Sequence, residues 1–429
     1  MARDLRLSIL NRAPGALTER KCVVMAISET RVPLAASGLT QDQIRAGIDV
    51  LNSGQLTMGA RVREFESLLG DFLGVEHVVM VNSGSSANLA AIEALVRPAL
   101  GEPKLRPGDI VLVPAIAWPT TVWPLIQLGL EPYFIDVRRD DFSMDISKAE
   151  KAVLSLETPP KAAMVIHPLG HPVPQSELVR LENLGLTVVS DVCESLGARV
   201  AGRHAGAESA ISTYSFYFSH HITTMEGGAV ATNDARIADD LRSIRSHGWT
   251  RDRSDRTDWE AVASVNQRPF LFAGTGFNVR PTELSAALGV VEMPHLSQYI
   301  ARRNEIAERC RASLVNTPFE MRVPHSDRAS TYAHSWMHIP ISCRDSVDPH
   351  ILEKVLPFLA SQGIETRPVL TGNFLRQPVI SRLGLSQLPD DFPIADEIAK
   401  STFLVGSHHS FSETQLRKLA TTLSSLAEI

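Results

Sequence analysis

The sequence predicts an α/β fold: a mainly parallel sheet sandwiched by helices, followed by a smaller α+β unit at the C-terminal end. Three observations carry this. Short apolar strands alternate with helical stretches through about residue 290, the rhythm of repeated βα units. Glycine, serine and acidic residues cluster just after those strands, where an open α/β sheet gathers its ligands. Beyond Pro294 the alternation becomes sparser, as a second, smaller unit requires. The division expected is an N-terminal extension over residues 1–30, a large domain over 31–295 and a small domain over 296–429.

The elements follow in order. Residues 1–30 are unpatterned, with Met25 an alternative start. Ile44, Ile48 and Leu51 space a helix over Leu39–Asn52, and Thr57-Met58-Gly59 punctuates it before a second helix, Ala60–Leu73. Val75–Val81 is a strand. It leads through Asn82-Ser-Gly-Ser-Ser-Ala-Asn88 into the helix Leu89–Val96. Such a Gly/Ser loop offers unpaired N–H groups and the positive end of a helix dipole to a phosphate; it is equally a plain serine N-cap. Asp109–Pro114 is the next strand, and Trp118 opens the following helix, where an indole either stacks on a planar ring or fills the core. Leu130–Asp136, Ala162–His167 and Gly185–Asp191 continue the strands. Asp191 ends the last of them, placed to meet a ligand or to cap the next turn.

After the strand Ser209–Tyr214 comes Ser215-Phe-Tyr-Phe-Ser-His220-His221-Ile-Thr-Thr-Met-Glu226-Gly-Gly228. Paired histidines beside hydroxyls, a carboxylate and two glycines point to acid–base chemistry near a phosphate or carbonyl. Ala229–Thr232 is a strand and Asp234–Ser246 a helix. The polar run Asp252–Glu260 reads as an anion contact or as a solvated loop. Gly276–Glu283 precedes the helix Leu284–Val291, and Ser335–Ile341, Pro349–Gln362, Gly363–Pro368 and Ser412–Leu426 alternate strand and helix in the small domain.

Composition narrows the function classes. With 429 residues, 44% hydrophobic and 21% charged, the chain is an ordinary globular protein with ample core. A net charge of -6 gives no electrostatic case for nucleic acid or an anionic membrane. Cys22, Cys193, Cys310 and Cys343 form neither a CxxC pair nor a disulfide framework, which suits a reducing cytoplasm. No apolar run is long enough to span a bilayer, and no signal peptide is expected.

Leu56–Gly59, Asn82–Asn88, Pro114–Thr121, Asp191–Gly197, Ser215–Gly228, His247–Arg251, Gly276–Glu283 and Gly363–Pro368 with Thr371–Asn373 stand in fixed order. In that order they resemble the sugar-aminotransferase (DegT/StrS) family of pyridoxal-phosphate enzymes, of fold type I (aspartate aminotransferase-like). The resemblance covers about residue 33 to the end. In that family a lysine carries the cofactor as a Schiff base; here His220 stands at its position, and no lysine occurs between Lys161 and Lys354. The chain therefore looks like the His-for-Lys dehydratase subgroup, which uses pyridoxamine phosphate.

The resemblance implies a 3-dehydratase acting on a nucleotide-linked 4-keto-6-deoxyhexose, with L-glutamate regenerating pyridoxamine 5′-phosphate from pyridoxal 5′-phosphate. It implies Asp191 at the pyridine nitrogen and Trp118 against the ring. Gly84, Ser85, Ser86 and Ser215 would lie at the phosphate and Glu194 beside the cofactor. Asn278 would reach the phosphate from the partner of a homodimer. His220 would be the base, with His221 its nearest rival; an imidazole is neutral and available near pH 7. Met58, His247, Arg251 and Arg367 would face substrate, Arg367 having also a structural reading in the small domain. A sister group carries a [2Fe–2S] cluster on four cysteines. Cys193 matches one, but His247–Trp259 contains no cysteine, so no iron–sulfur cluster and no other metal is expected. The rival functions are an aminotransferase that tolerates His220 and a non-catalytic module retaining the fold.

Overall fold

The computed structural model describes residues 31–35, 38–322 and 332–429; the expected N-terminal extension, with Met25 and Cys22, lies outside the described residues. The first part runs α1 (Gln41–Ser53), α2 (Ala60–Leu73), β1 (His77–Val81), α3 (Gly84–Val96), β2 (Ile110–Pro114), α4 (Pro119–Gln127) and β3 (Glu131–Ile135). It continues α5 (Ile146–Ser155), β4 (Ala162–Ile166), α6 (Gln175–Asn183), β5 (Thr187–Asp191), β6 (Arg199–Val200) and β7 (Arg203–His204). Then come β8 (Ile211–Ser215), β9 (Gly228–Thr232), α7 (Ala235–Ile244), α8 (Arg256–Ala261) and α9 (Glu283–Glu292). The remainder is α10 (Leu296–Ser313), β10 (Phe319–Glu320), β11 (Tyr332–Ala333), β12 (His338–Cys343), α11 (Leu352–Ser361), β13 (Thr366–Pro368), α12 (Pro393–Ser401), β14 (Thr402–Gly406) and α13 (Glu413–Ser424).

A seven-stranded sheet in the order β1-β9-β8-β5-β4-β2-β3 forms the centre. Its pairs from β8 to β3 are parallel, and β9 runs antiparallel between β8 and β1. Strands this apolar on both faces need cover on both, and helices supply it: α3 and α7 pack with Val79, Val111 and Met164, while α2 packs with Met80, Tyr214 and Ala229. The second sheet, β10-β12-β14-β13, is antiparallel and shares a core with α10, α11 and α13. Val32 joins that second core, bridging to Ile364. A third, small sheet, β11-β6-β7, was not foreseen: its strands are two residues long and carry no periodicity.

Two expectations change. The helix α1 exists, but Ile44, Ile48 and Leu51 are exposed and its buried positions are Gln43, Gly47 and Val50. Gly47 lies against α9, where an added Cβ would stand 3.0 Å from Leu284 Cδ1, so the smallest residue sets the packing face. The run Asp252–Glu260 is largely exposed, as a solvated stretch would be, but it is more ordered than a loop. Arg253 is buried against Asp240 and Asp255, Ser254 bonds Asp239, and the run ends in α8.

The Leu56–Gly59 and Gly276–Glu283 motifs prove to be one device. The buried Glu283 carboxylate accepts the N–H groups of Gly59, Arg61 and Val62 at 2.7–2.9 Å, satisfying the start of α2. Gly59 is required there, because a Cβ would come within 2.7 Å of Glu283 Oε2. Glu283→Ala would leave those donors unpaired, and urea unfolding is expected to show a loss of about 3 kcal/mol.

Candidate active site

Parallel strands end at one edge of a sheet, so residues following β1, β2, β4, β5 and β8 meet there. The result is a cavity of about 430 Å³, within the range of small-molecule sites. Gly84, Ser85, Trp118, Asp191, Glu194, Ser215, His220 and Arg367 all line it.

Its floor is Asp191, buried at the end of β5. The Asp191 Oδ2 accepts from Asn88 Nδ2 at 2.8 Å and Thr121 Oγ1 at 2.9 Å; Oδ1 accepts from the Cys193 N–H at 3.1 Å. Asn88 is itself fixed by Thr213 Oγ1 at 2.6 Å. Asn88 and Thr121 are supporting residues that the sequence reading passed over. The signal was present: an asparagine inside a helix buried all round needs a polar partner.

The Gly/Ser loop divides its labour. Ser83 is the N-cap of α3 and accepts from Ser86 N at 3.1 Å, with the two hydroxyls 3.0 Å apart. Ser86 is thus turned to Ser83 rather than to the cavity, which Gly84 and Ser85 face. A Cβ on Gly84 would stand 2.6 Å from Ser215 Cβ, and one on Gly228 would stand 2.3 Å from Ser83 O. The glycines keep open a cradle bounded by a helix N-terminus and the Ser215 hydroxyl, which fits a phosphate. Trp118 stands at the mouth with half its surface exposed (52%), offering a flat face to the cavity. Phosphate cradle, flat face and buried carboxylate together match the three parts of a pyridoxal-type cofactor.

The two histidines part company. His221 is fully buried and its Nε2 meets Ser335 O at 3.1 Å. His220 lines the cavity, and its Nδ1 lies 2.7 Å from Cys193 O. A carbonyl only accepts, so Nδ1 carries the proton and the Nε2 lone pair is left free. Burial lowers the His220 pKa to about 4; the Cys193 carbonyl opposes this, and Arg367 and Arg303 reinforce it. Burial raises Glu194, against the pull of Arg367 and of the Leu169 N–H. Burial and Asp191 raise the Cys193 thiol well above its ordinary value.

Met58, His247, Arg251 and Asn278 lie outside the cavity wall. Met58 occupies a positive-φ turn (φ 41) beside the Glu283 cap, and His247 is exposed with φ 64. Arg251 sits 4.4 Å over the Trp249 ring and pairs with Asp252, and Asn278 Oδ1 accepts from Arg280. The wall also includes Tyr217, Ser219, Glu226 and Met337. Among the described residues no group of three or more histidines, cysteines or carboxylates could hold a metal ion, and Cys310 and Cys343 sit in the second core. No helix among the described residues is long and apolar enough to cross a membrane.

Histidine-labelled nitrogen spectra should show His220 as the Nδ1–H tautomer, neutral at pH 6 and protonating near pH 4. The sign follows: the unfolded chain takes up this proton at about 6.5, so stability present above that pH is lost as pH falls towards 4.

The family model described as the DegT/DnrJ/EryC1/StrS aminotransferase family matches residues 38–424. The GDP-4-keto-6-deoxy-D-mannose 3-dehydratase of Yersinia pseudotuberculosis is 33% identical over 391 residues, covering 90% of this chain and 96% of that enzyme. The Escherichia coli enzyme of that name, solved with bound hydrated pyridoxal phosphate, superposes with a TM-score of 0.83 at 32% identity, covering 92% of this chain and 99% of that one. A structure of such an enzyme with a trapped pyridoxal phosphate–glutamate geminal diamine gives 0.82 at 32% identity, covering 91% and 100%. With this fold, this cavity and a match along nearly its whole length, the chain belongs to the DegT/DnrJ/EryC1/StrS aminotransferase family.

Proposed function

We propose that the protein is a pyridoxamine-phosphate-dependent 3-dehydratase of a nucleotide-linked 4-keto-6-deoxyhexose, recharged by L-glutamate. The observation that carries this is His220: a free imidazole nitrogen lines a cavity that has contacts for the cofactor's three parts, and among the described residues its wall contains no lysine. The dehydratase names and pyridoxal phosphate contents of the relatives support it.

In this reading Gly84, Ser85 and Ser215 hold the phosphate and Trp118 supports the ring. Asp191 keeps the pyridine nitrogen protonated, and Glu194 lies beside the ring. The cofactor, when bound, supplies an amine for the C4 ketone and a ring that accepts electrons as the C3–O bond breaks. With that group held there, His220 Nε2 would be the base that takes up a proton at its C4′ carbon and, as imidazolium, would return it to the departing C3 oxygen. Its low pKa keeps it a free base at neutral pH. Having no amine, it neither traps the cofactor nor competes for the aldehyde. The atoms balance: the hydroxy ketone and pyridoxamine phosphate yield deoxy ketone, pyridoxal phosphate and ammonia. Arg367, a cation in the wall, suits the carboxylate of glutamate or a substrate phosphate.

Residues 31–295 carry the cofactor contacts in this scheme, and residues 296–429 bring Arg367 and Met337 to the opposite wall. A homodimer is supported by the outward apolar stripe Ile44, Ile48 and Leu51 on α1. It would give Asn278 a role at the partner's cavity, and the enzyme would work in the cytoplasm on a soluble nucleotide sugar.

Purified protein with pyridoxal phosphate, glutamate and a panel of nucleotide 4-keto-6-deoxyhexoses, GDP-linked first, should release ammonia and a ketone one oxygen lighter by mass spectrometry. An amino sugar would sink the dehydratase reading. His220→Asn should lower kcat at least about a hundredfold, with the cofactor still bound by absorbance.

A further inference from the structure

Arg303 lies on α10, and its side chain is among the largest fully buried ones in the protein. Among the described residues no carboxylate pairs with it, and its Nε, also buried, has no hydrogen-bond partner. A guanidinium with no counter-ion is costly to bury, so its other bonds define its purpose. Nη1 donates to Trp336 O and Met337 O at 3.1 Å each and to Ser407 Oγ at 3.2 Å; Nη2 donates to His220 O at 3.2 Å. The first three acceptors belong to the C-terminal part of the chain, and Met337 lines the cavity. The fourth is the main-chain carbonyl of the residue whose imidazole enters it.

We propose that Arg303 is a positioning residue that clamps the main chain of His220 to the 336–337 and 407 segments, aiming its Nε2 into the cavity and fixing the opposite wall by the same guanidinium. This rests on the reading of His220 as the base. The imidazole is held at two points: Cys193 O takes the Nδ1 proton, and Arg303 holds the carbonyl. With either missing, rotation of the loop would carry Nε2 away from the reacting carbon. The clamp also brings a fixed positive charge to the loop, favouring neutral imidazole.

The other groups facing His220 are few and come from several elements. Arg367 on β13 and His338 on β12 stand on the C-terminal side. Asp191, Cys193 and Glu194 follow β5, while Tyr217, Glu226 and His221 share its loop. Of the two nearby cations, Arg367 is open to the cavity and to ligands, whereas Arg303 is sealed behind the loop.

The test uses Arg303→Met, Arg303→Lys and Ser407→Ala in the full chain. Two readouts are the titration of His220 in cofactor-free protein, assigned by the resonance lost in His220→Asn, and the pH profile of kcat. Arg303→Met is expected to raise the His220 pKa modestly above about 4, burial and Arg367 still holding it well below 6.5, to move the acid limb up with it, and to lower kcat about a hundredfold at little change in KM. Arg303→Lys should restore the acid limb, since the charge returns, but kcat only to about a tenth of wild type, since one ammonium cannot span four oxygens. Should Arg303→Met fail to fold, Arg303→Lys and Ser407→Ala carry the test, each lowering kcat about tenfold with KM held. A wild-type titration and wild-type kcat in the variants that fold would overturn the proposal. So would a fall in kcat with an unmoved titration and no difference between Lys and Met. The titration needs neither sugar nor cofactor, so an inactive wild type would sink the dehydratase reading and leave this inference to be decided by the titration.

Discussion

The site depends on one buried carboxylate. Asp191 ends a parallel strand in the middle of the sheet, where an unpaired charge is costly. It is tolerated because Asn88, Thr121 and the Cys193 N–H aim donors at it, and Thr213 fixes Asn88. Those donors come from α3, α4, β8 and the turn after β5, so satisfying one charge brings four parts of the large sheet to a common point. The turn that supplies the Cys193 N–H also supplies the Cys193 carbonyl that sets the tautomer of His220. The support of the buried carboxylate and the orientation of the His220 imidazole are therefore two consequences of the same turn.

Close approach is the second constraint. The N-terminus of α3, the Ser215 end of β8 and the Gly228 start of β9 meet at distances that exclude a Cβ on Gly84 or Gly228. That contact leaves a hollow lined by backbone N–H groups beside a hydroxyl. The same logic joins Gly59 to Glu283 at α2 and Gly47 to Leu284 at α1. At these positions glycine marks where elements must touch.

Much of this was legible in the residues. Alternating apolar runs placed the seven main strands to within a few positions, because strands buried on both faces are continuously apolar. Asp191, Trp118, Gly84, Ser85, Ser215, Glu194, His220 and Arg367 were each named from the sequence, and they share a cavity. Asn88 and Thr121 were missed because supporting polar residues show themselves by burial, which a linear pattern reports only indirectly. The face of α1 was misread because Ile44, Ile48 and Leu51 mark an apolar stripe without saying which surface covers it.

The sequence by itself determined the fold class, the order of the motifs and a histidine where the resembled family pattern has a lysine, since these depend on local pattern and residue identity. Only the tertiary structure decided between His220 and His221 as the residue facing the cavity: adjacent side chains point to different surroundings, and the environment of each is made by segments more than twenty residues away, Cys193 for one and Ser335 for the other. It likewise separated Ser86, tied to Ser83, from Gly84 and Ser85, and put Arg303 behind the His220 carbonyl. Those assignments rest on contacts between distant parts of the chain, and the packing of the two sheets is what brings such parts together.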